Sequence, residues 1–66
     1  MRFYVARDKN GALLLYFGKP IRKENEFVAY NRVVCGSWYF EEFGLNADDY
    51  KDLRWEDEPK EVFLNL

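Results

Sequence analysis

Two runs of apolar and polar residues flank a short polar segment near the amino terminus. The runs are residues 2–7 (RFYVAR) and 12–17 (ALLLYF), and the segment DKNG separates them at residues 8–11. A turn segment of this type between two aromatic and aliphatic runs is typical of a β-hairpin. The pattern therefore predicts that the chain begins with two antiparallel strands.

Two registers of this hairpin are possible. One has a two-residue loop at Asn10 and Gly11, whereas the other has a type I turn opened by Asp8, with Gly11 in the left-handed bulge position. Because a one-residue slip moves every side chain of a strand to the other face, we favour the second register, which makes one clean apolar face. That face contains Phe3, Val5, Leu13, Leu15 and Phe17. The opposite face contains Tyr4, Ala6, Leu14 and Tyr16 and is only partly apolar.

The middle of the chain contains further extended segments. They are an edge strand at residues 21–22, a polar turn at residues 23–25, a strand at residues 26–30 and an extended run at residues 33–40. Pro20 ends the second strand, since proline cannot donate a hydrogen bond to a central ladder. We expect the last run to form a strand centred on residues 38–40, with Gly36 as a bulge or bend.

The carboxyl-terminal third contains one helical and one extended pattern. Asn46 can cap a helix, and the two aspartates at residues 48–49 would lie in its first turn, where negative charge is favoured. This pattern predicts a short helical turn near residues 47–53. Residues 60–64 (KEVFL) are then predicted as a terminal strand.

A chain of 66 residues has room for one small domain. We therefore predict a single domain over residues 1–66. Its fold class is mainly β, with α+β as the alternative, and its sheet has four to five mostly antiparallel strands. Aromatic residues make up 20% of the chain. Because each buries a large area, they offset the thin core expected at this size.

The residue types present restrict the chemistry. The chain has no histidine, one cysteine and one serine. Nucleophilic catalysis needs a base beside the nucleophile, and zinc sites need Cys and His, so we expect no catalytic residue, no cofactor and no metal site. A single cysteine, Cys35, excludes an internal disulfide, which favours a cytoplasmic location, and we expect it to be in the core. No apolar run approaches the roughly 20 residues that span a bilayer, so no membrane partner is expected.

The net charge of -2 hides an uneven distribution along the chain. Residues 1–39 carry a net charge of +4, and residues 40–66 carry a net charge of -6. In a domain that cannot separate into lobes, we expect the two halves to attract each other across the fold. The alternative is a dipolar surface that steers a charged partner.

Two binding functions fit these features. A protein-interaction or accessory module is favoured, because small β-rich domains bind partners through exposed apolar patches or open sheet edges. The alternative is single-stranded nucleic-acid binding through the basic, tyrosine-bearing face of the first hairpin. A sequence pI of about 5.0 disfavours that alternative. The candidate binding residues are Tyr4, Arg7, Tyr16, Arg22 and Trp55.

The two tryptophans have competing interpretations. We expect Trp38 to be in the core as a large filler, whereas Trp55 is left open between core and surface. An exposed aromatic patch formed by Trp38, Tyr39 and Trp55 is the alternative. The chain is expected to be a monomer or a homodimer.

Three segments near the two ends of the chain have a recognisable pattern: residues 4–11 (YVARDKNG), 16–20 (YFGKP) and 55–62 (WEDEPKEV). In these segments the sequence resembles a group of short uncharacterised bacterial and prophage-type proteins. The resemblance implies a stand-alone domain in a cytoplasmic setting, with an accessory or regulatory binding role. It transfers no site residue.

Replacing Gly11 with valine should lower the thermal midpoint of unfolding, because a β-branched residue resists the positive φ that the bulge position requires. Thermal unfolding followed by circular dichroism measures this change. An unchanged midpoint would contradict the turn assignment.

Overall fold

The computed structural model describes residues 2–29 and 34–64, which form a mainly β fold. The strands are β1 (Arg2–Arg7), β2 (Leu13–Tyr16), β3 (Ile21–Arg22), β4 (Phe27–Val28), β5 (Val34–Gly36) and β6 (Lys60–Phe63). Two 3-10 helices, η1 (Ser37–Phe43) and η2 (Ala47–Tyr50), lie between β5 and β6. Neither of these helices has the length and apolarity needed to cross a membrane.

Four of the described strands form one antiparallel sheet in the order β5-β2-β1-β6. The other two, β3 and β4, form a separate antiparallel pair. The predicted fold class, mainly β with a mostly antiparallel sheet that opens with a hairpin, is therefore confirmed.

The first hairpin adopts the predicted register, with Val5 opposite Leu15. The Gly11 N–H donates to the Asp8 carbonyl at 2.9 Å, and the Asp8 N–H donates to the Ala12 carbonyl at 2.8 Å. Gly11 has a φ of 95°, the left-handed conformation that the bulge position requires. The predicted register and the left-handed conformation of Gly11 at the bulge position are confirmed.

The larger core lies on the predicted apolar face of the sheet. Four of its members are buried as expected: Phe3, Val5, Leu13 and Leu15. The helices and the carboxyl-terminal segment cover them with Phe40, Tyr50 and Leu64. Phe17 is an exception, because it is 47% exposed although its ring lies 4.7 Å from the Phe3 ring. It follows the last residue of β2 and therefore lies at the rim of this core rather than inside it.

The opposite face of the sheet is covered as well. Ala6 and Tyr16 are buried there against Phe27 of β4. Half-buried residues pack around them: Tyr4, Leu14, Ala29 and Trp55. This face is only partly apolar, as predicted, but the β3–β4 pair and the segment around Trp55 convert it into a second core.

Asp8 attaches the β3–β4 pair to the main sheet. Its buried carboxylate accepts two hydrogen bonds at Oδ1, from the Phe27 N–H at 3.0 Å and from the Tyr16 hydroxyl at 3.3 Å. Burial, and then the negative charge of Asp8, raise the pKa of the Tyr16 phenol above its ordinary value. Tyr16 therefore keeps its proton and serves as a donor.

The prediction of a strand centred on residues 38–40 is wrong. β5 ends at Gly36, and the chain continues as the η1 helix. In a strand, Trp38 and Phe40 would share a face. With three residues per turn, η1 instead aligns Phe40 with Phe43, and both contact the core. Trp38 turns outward and is 80% exposed, so the prediction of a buried Trp38 is also wrong.

The helical turn and the terminal strand form near the predicted places. The Asn46 side chain accepts a hydrogen bond from the Asp48 N–H at 3.0 Å, which caps η2. The helix ends at Tyr50 and is therefore shorter than the predicted residues 47–53. β6 pairs antiparallel with β1.

The middle segments are partly within the described residues. The edge strand at residues 21–22 is β3, and the polar turn after it is closed by a 2.8 Å hydrogen bond from the Lys23 N–H to the Glu26 carbonyl. The strand predicted at residues 26–30 is reduced to Phe27–Val28. Residues 30–33 lie outside the described part of the chain, and so does the predicted burial of the Cys35 side chain.

Replacing Asp8 with alanine should lower the free energy of unfolding by about 1 to 3 kcal/mol, because the buried Phe27 N–H and Tyr16 hydroxyl lose their acceptor. Tyr16→Phe is the matched control. It removes only the longer hydrogen bond and should cost about 0.5 to 1.5 kcal/mol. Urea unfolding of both variants measures the difference, and an Asp8→Ala variant as stable as the wild type would contradict the anchoring role of Asp8.

Candidate functional site

Arg22 and Trp55, two of the predicted binding residues, are in contact. The Arg22 guanidinium lies 5.0 Å from the ring centroids of both Trp55 and Phe27. Its Nη2 also donates to the carbonyls of Trp55 at 2.7 Å and Asp57 at 2.9 Å. Since the Phe27 and Trp55 rings meet edge to face at 5.1 Å, the arrangement joins the β3–β4 pair to residues 54–57. Trp55 is half-buried and belongs to the second core.

Arg7 is held by backbone carbonyls. Its Nε donates to the Leu53 carbonyl, its Nη2 to the Tyr50 carbonyl and its Nη1 to the Gly11 carbonyl, each at 3.0 Å. These bonds occupy all three guanidinium nitrogens. They also tie the first hairpin to the segment that follows η2.

The basic and acidic halves of the chain are in contact, whereas the attraction between their net charges stays a prediction. Arg7 and Arg22 belong to the basic half, and most of their carbonyl acceptors belong to the acidic half. Arg2 adds an ion pair with Glu61, in which Nε and Oε2 are 3.0 Å apart. The two halves are therefore joined, but mainly through backbone carbonyls rather than through carboxylates.

The two tyrosines of the first hairpin contribute to the second core. Tyr16 is only 3% exposed, and Tyr4 is half-buried beside it. A nucleic-acid base needs an open ring face on which to stack. Tyr16 offers no such face, and the Arg7 guanidinium is already hydrogen-bonded to backbone carbonyls. Of the five predicted binding residues, only Arg22 and Trp55 are in contact with each other at the surface.

Among residues 2–29 and 34–64, the most exposed aromatic side chain lies on η1. Trp38 is 80% exposed and Tyr39 is 43% exposed, and their ring centroids are 4.5 Å apart with a tilt of 42°. Phe40, next in the chain, is completely buried and packs edge to face against Tyr50 at 6.1 Å. Burial also raises the pKa of the Tyr50 phenol, with a smaller contribution from the charge of Asp49. The core side of η1 is thus anchored directly beside its exposed rings.

The three-residue period of η1 explains this division. Side chains three residues apart are eclipsed in a 3-10 helix, so its surface has three ridges. The ridge toward the core contains Ser37, Phe40 and Phe43, and the two exposed ridges contain Trp38 with Glu41 and Tyr39 with Glu42. Each exposed aromatic ring therefore has a carboxylate one turn away. The sequence signal for this arrangement was the spacing of Phe40 and Phe43, which fits a helix better than a strand.

Gly36 permits the position of the Trp38 ring. A Cβ atom at residue 36 would lie 2.5 Å from Nε1 and 2.9 Å from Cδ1 of the indole. Such distances are shorter than a van der Waals contact, so any other residue at position 36 must displace the ring. The indole lies against the backbone at the point where β5 becomes η1.

No other candidate site is found in residues 2–29 and 34–64. Their surface has no pocket and no group of three or more cysteine, aspartate or glutamate side chains placed to hold a metal ion. Comparisons with protein-family models, curated proteins and solved structures found no match to the chain. The resemblance to short bacterial and prophage-type proteins stays a prediction, and the function is inferred from the surface.

The two tryptophans should respond differently to truncation. Trp38→Ala should change the free energy of unfolding by no more than about 0.5 kcal/mol, because the side chain is at the surface. Trp55→Ala should lower it by about 1 to 3 kcal/mol, since Phe27 loses an aromatic partner and Arg22 loses a stacking partner. Urea unfolding distinguishes the two variants, and equal destabilisation would show that Trp38 is part of the core.

Proposed function

We propose that this protein is a non-enzymatic protein-interaction module that binds its partner through Trp38 and Tyr39. The observation that carries the proposal is the exposure of a tryptophan whose ring packs at a tilt against a tyrosine ring at the surface of a small protein. Tryptophan and tyrosine are the residues most often found as energetic anchors of protein interfaces, because each buries a large area on contact. Because Trp38 is 80% exposed, it has most of that area still to bury.

The way in which the two rings are held supports the proposal. Phe40 fixes the core side of η1, and the close approach of the indole to Gly36 limits where the Trp38 ring can lie. The Tyr39 ring limits it further by packing against the indole. Binding therefore orders few additional side-chain rotamers, and this lowers the entropic cost of forming a complex.

Single-stranded nucleic-acid binding through the first hairpin is the alternative and has less support. Tyr16 is buried, and the guanidinium of Arg7 is hydrogen-bonded to backbone carbonyls. On η1, the neighbours of the exposed rings are Glu41 and Glu42, whose negative charges repel phosphate.

A selection from a library of short random peptides displayed on phage tests the proposed function. The wild-type protein is the bait, and phage that also bind Trp38→Ala are removed in each round. Phe63→Ala is the matched control, because Phe63 is 68% exposed and lies on β6 rather than on η1. We expect enriched peptides that bind the wild type and Phe63→Ala, with affinity for Trp38→Ala reduced about tenfold or more, as for an interface anchor.

Two outcomes would overturn the proposed function. One is that no peptide is enriched, and the other is that the enriched peptides bind Trp38→Ala as tightly as the wild type. An amide NMR titration with short single-stranded DNA and RNA, at low salt and at about 200 mM, tests the alternative. Salt-sensitive shifts near Tyr4, Arg7 and Arg22, with none on η1, would favour nucleic-acid binding.

A further inference from the structure

Several aromatic rings of this protein have an arginine or lysine side chain of the same chain lying over them. In each case the charged group lies within 6 Å of a ring centroid, which is the range of a cation–π interaction. These pairs include Arg2 over Phe63 at 5.5 Å, Arg22 over Trp55 at 5.0 Å and Lys60 over Tyr50 at 5.5 Å.

The two exposed rings of η1 differ from these rings. Within residues 2–29 and 34–64, no arginine or lysine lies over Trp38 or Tyr39, and the aromatic contact of each ring is with the other. The carboxylates of Glu41 and Glu42 likewise form no ion pair with any arginine or lysine in the described part of the chain. The most exposed tryptophan and two neighbouring acidic groups are thus without a cation in the described part of the chain.

The helix geometry places each ring beside a carboxylate. Because residues three apart are eclipsed in a 3-10 helix, Glu41 follows Trp38 and Glu42 follows Tyr39, about 6 Å further along the axis. A guanidinium is planar, so it can stack on an indole while its edge donates hydrogen bonds to a carboxylate. Each exposed ridge has an aromatic ring followed by a carboxylate, and this pair is complementary to an exposed basic side chain of a partner segment.

We infer that the partner bound at this surface presents an arginine or lysine, which stacks on Trp38 or Tyr39 and pairs with Glu41 or Glu42. This inference rests on the proposed function and names the chemistry of the partner, a basic segment of a protein. The charge complementarity comes from Glu41 and Glu42, whose negative charges attract a basic partner and add nothing to the binding of an apolar one.

Pairs of synthetic peptides test the inference. Each pair consists of a peptide from the phage selection that contains arginine and the same peptide with citrulline, which keeps the shape of arginine but has no charge. We expect citrulline to raise the dissociation constant, measured by the change in tryptophan fluorescence, about threefold to tenfold. Glu41→Gln and Glu42→Gln should each raise the dissociation constant of the arginine peptide about threefold and leave that of the citrulline peptide unchanged.

Glu58→Gln is the control for general attraction between a basic peptide and an acidic protein. Glu58 is an exposed acid on the segment before β6, outside η1, so the change removes the same charge at another place. It should leave the dissociation constant of the arginine peptide unchanged. If it weakens binding as much as Glu41→Gln and Glu42→Gln do, the contact with η1 is not specific and the inference is overturned.

The remaining outcomes separate this inference from the proposed function. Selected peptides that depend on Trp38 but lack enrichment in arginine and lysine would overturn the inference and leave the proposed function intact. Equal affinity for the arginine and citrulline peptides would also overturn the inference and leave the proposed function intact. A selection without any Trp38-dependent peptide would instead overturn the proposed function itself.

Discussion

The carboxylate of Asp8 is the constraint on which the arrangement of this domain depends. Its backbone opens the turn of the first hairpin, while its side chain accepts hydrogen bonds from the Phe27 N–H and the Tyr16 hydroxyl. The residue that sets the register of the main sheet therefore also attaches the β3–β4 pair to it. Because all these groups are buried, losing the acceptor would leave two donors unpaired in a region that water does not reach.

A consequence of this attachment is that both faces of a very small sheet are covered. A domain of this size has little apolar area to distribute, and here it is divided between two clusters on opposite sides of β1 and β2. Arginine side chains connect the covering segments to the hairpin. Arg7 and Arg22 each bind two carbonyls of the carboxyl-terminal half, an arrangement that suits the several donors of a guanidinium.

The use of aromatic and basic residues inside the fold restricts the surface that is left for binding. Tyr16 and Trp55 pack in the second core, and Arg7 and Arg22 hold segments together. Among the described residues, the most exposed aromatic side chain lies on η1, where Trp38 and Tyr39 flank the completely buried Phe40 on the exposed side of the helix. The same short helix thus supplies a core residue and the proposed binding residues, since its three-residue period assigns successive positions to different faces.

The features that could be predicted from the order of the residues are those that depend on close neighbours in the chain. The turn from Asp8 to Gly11, the strand alternation on either side of it and the Asn46 cap are all made by residues a few positions apart. Local sterics and short-range hydrogen bonds decide such structures, and both can be inferred from the order of the residues.

The exposure of individual aromatic and basic side chains, in contrast, depends on contacts between distant parts of the chain. The run Trp38-Tyr39-Phe40 is apolar throughout, so by itself it does not separate a strand from a 3-10 helix. The spacing of Phe40 and Phe43 favours the helix, but it does not show which of these rings is buried. The burial of Tyr16 and the partners of Arg7 depend on residues such as Phe27 and Leu53. The Arg7–Leu53 bond joins residues 46 positions apart, and a contact over that distance exists only after the sheet has brought both segments together.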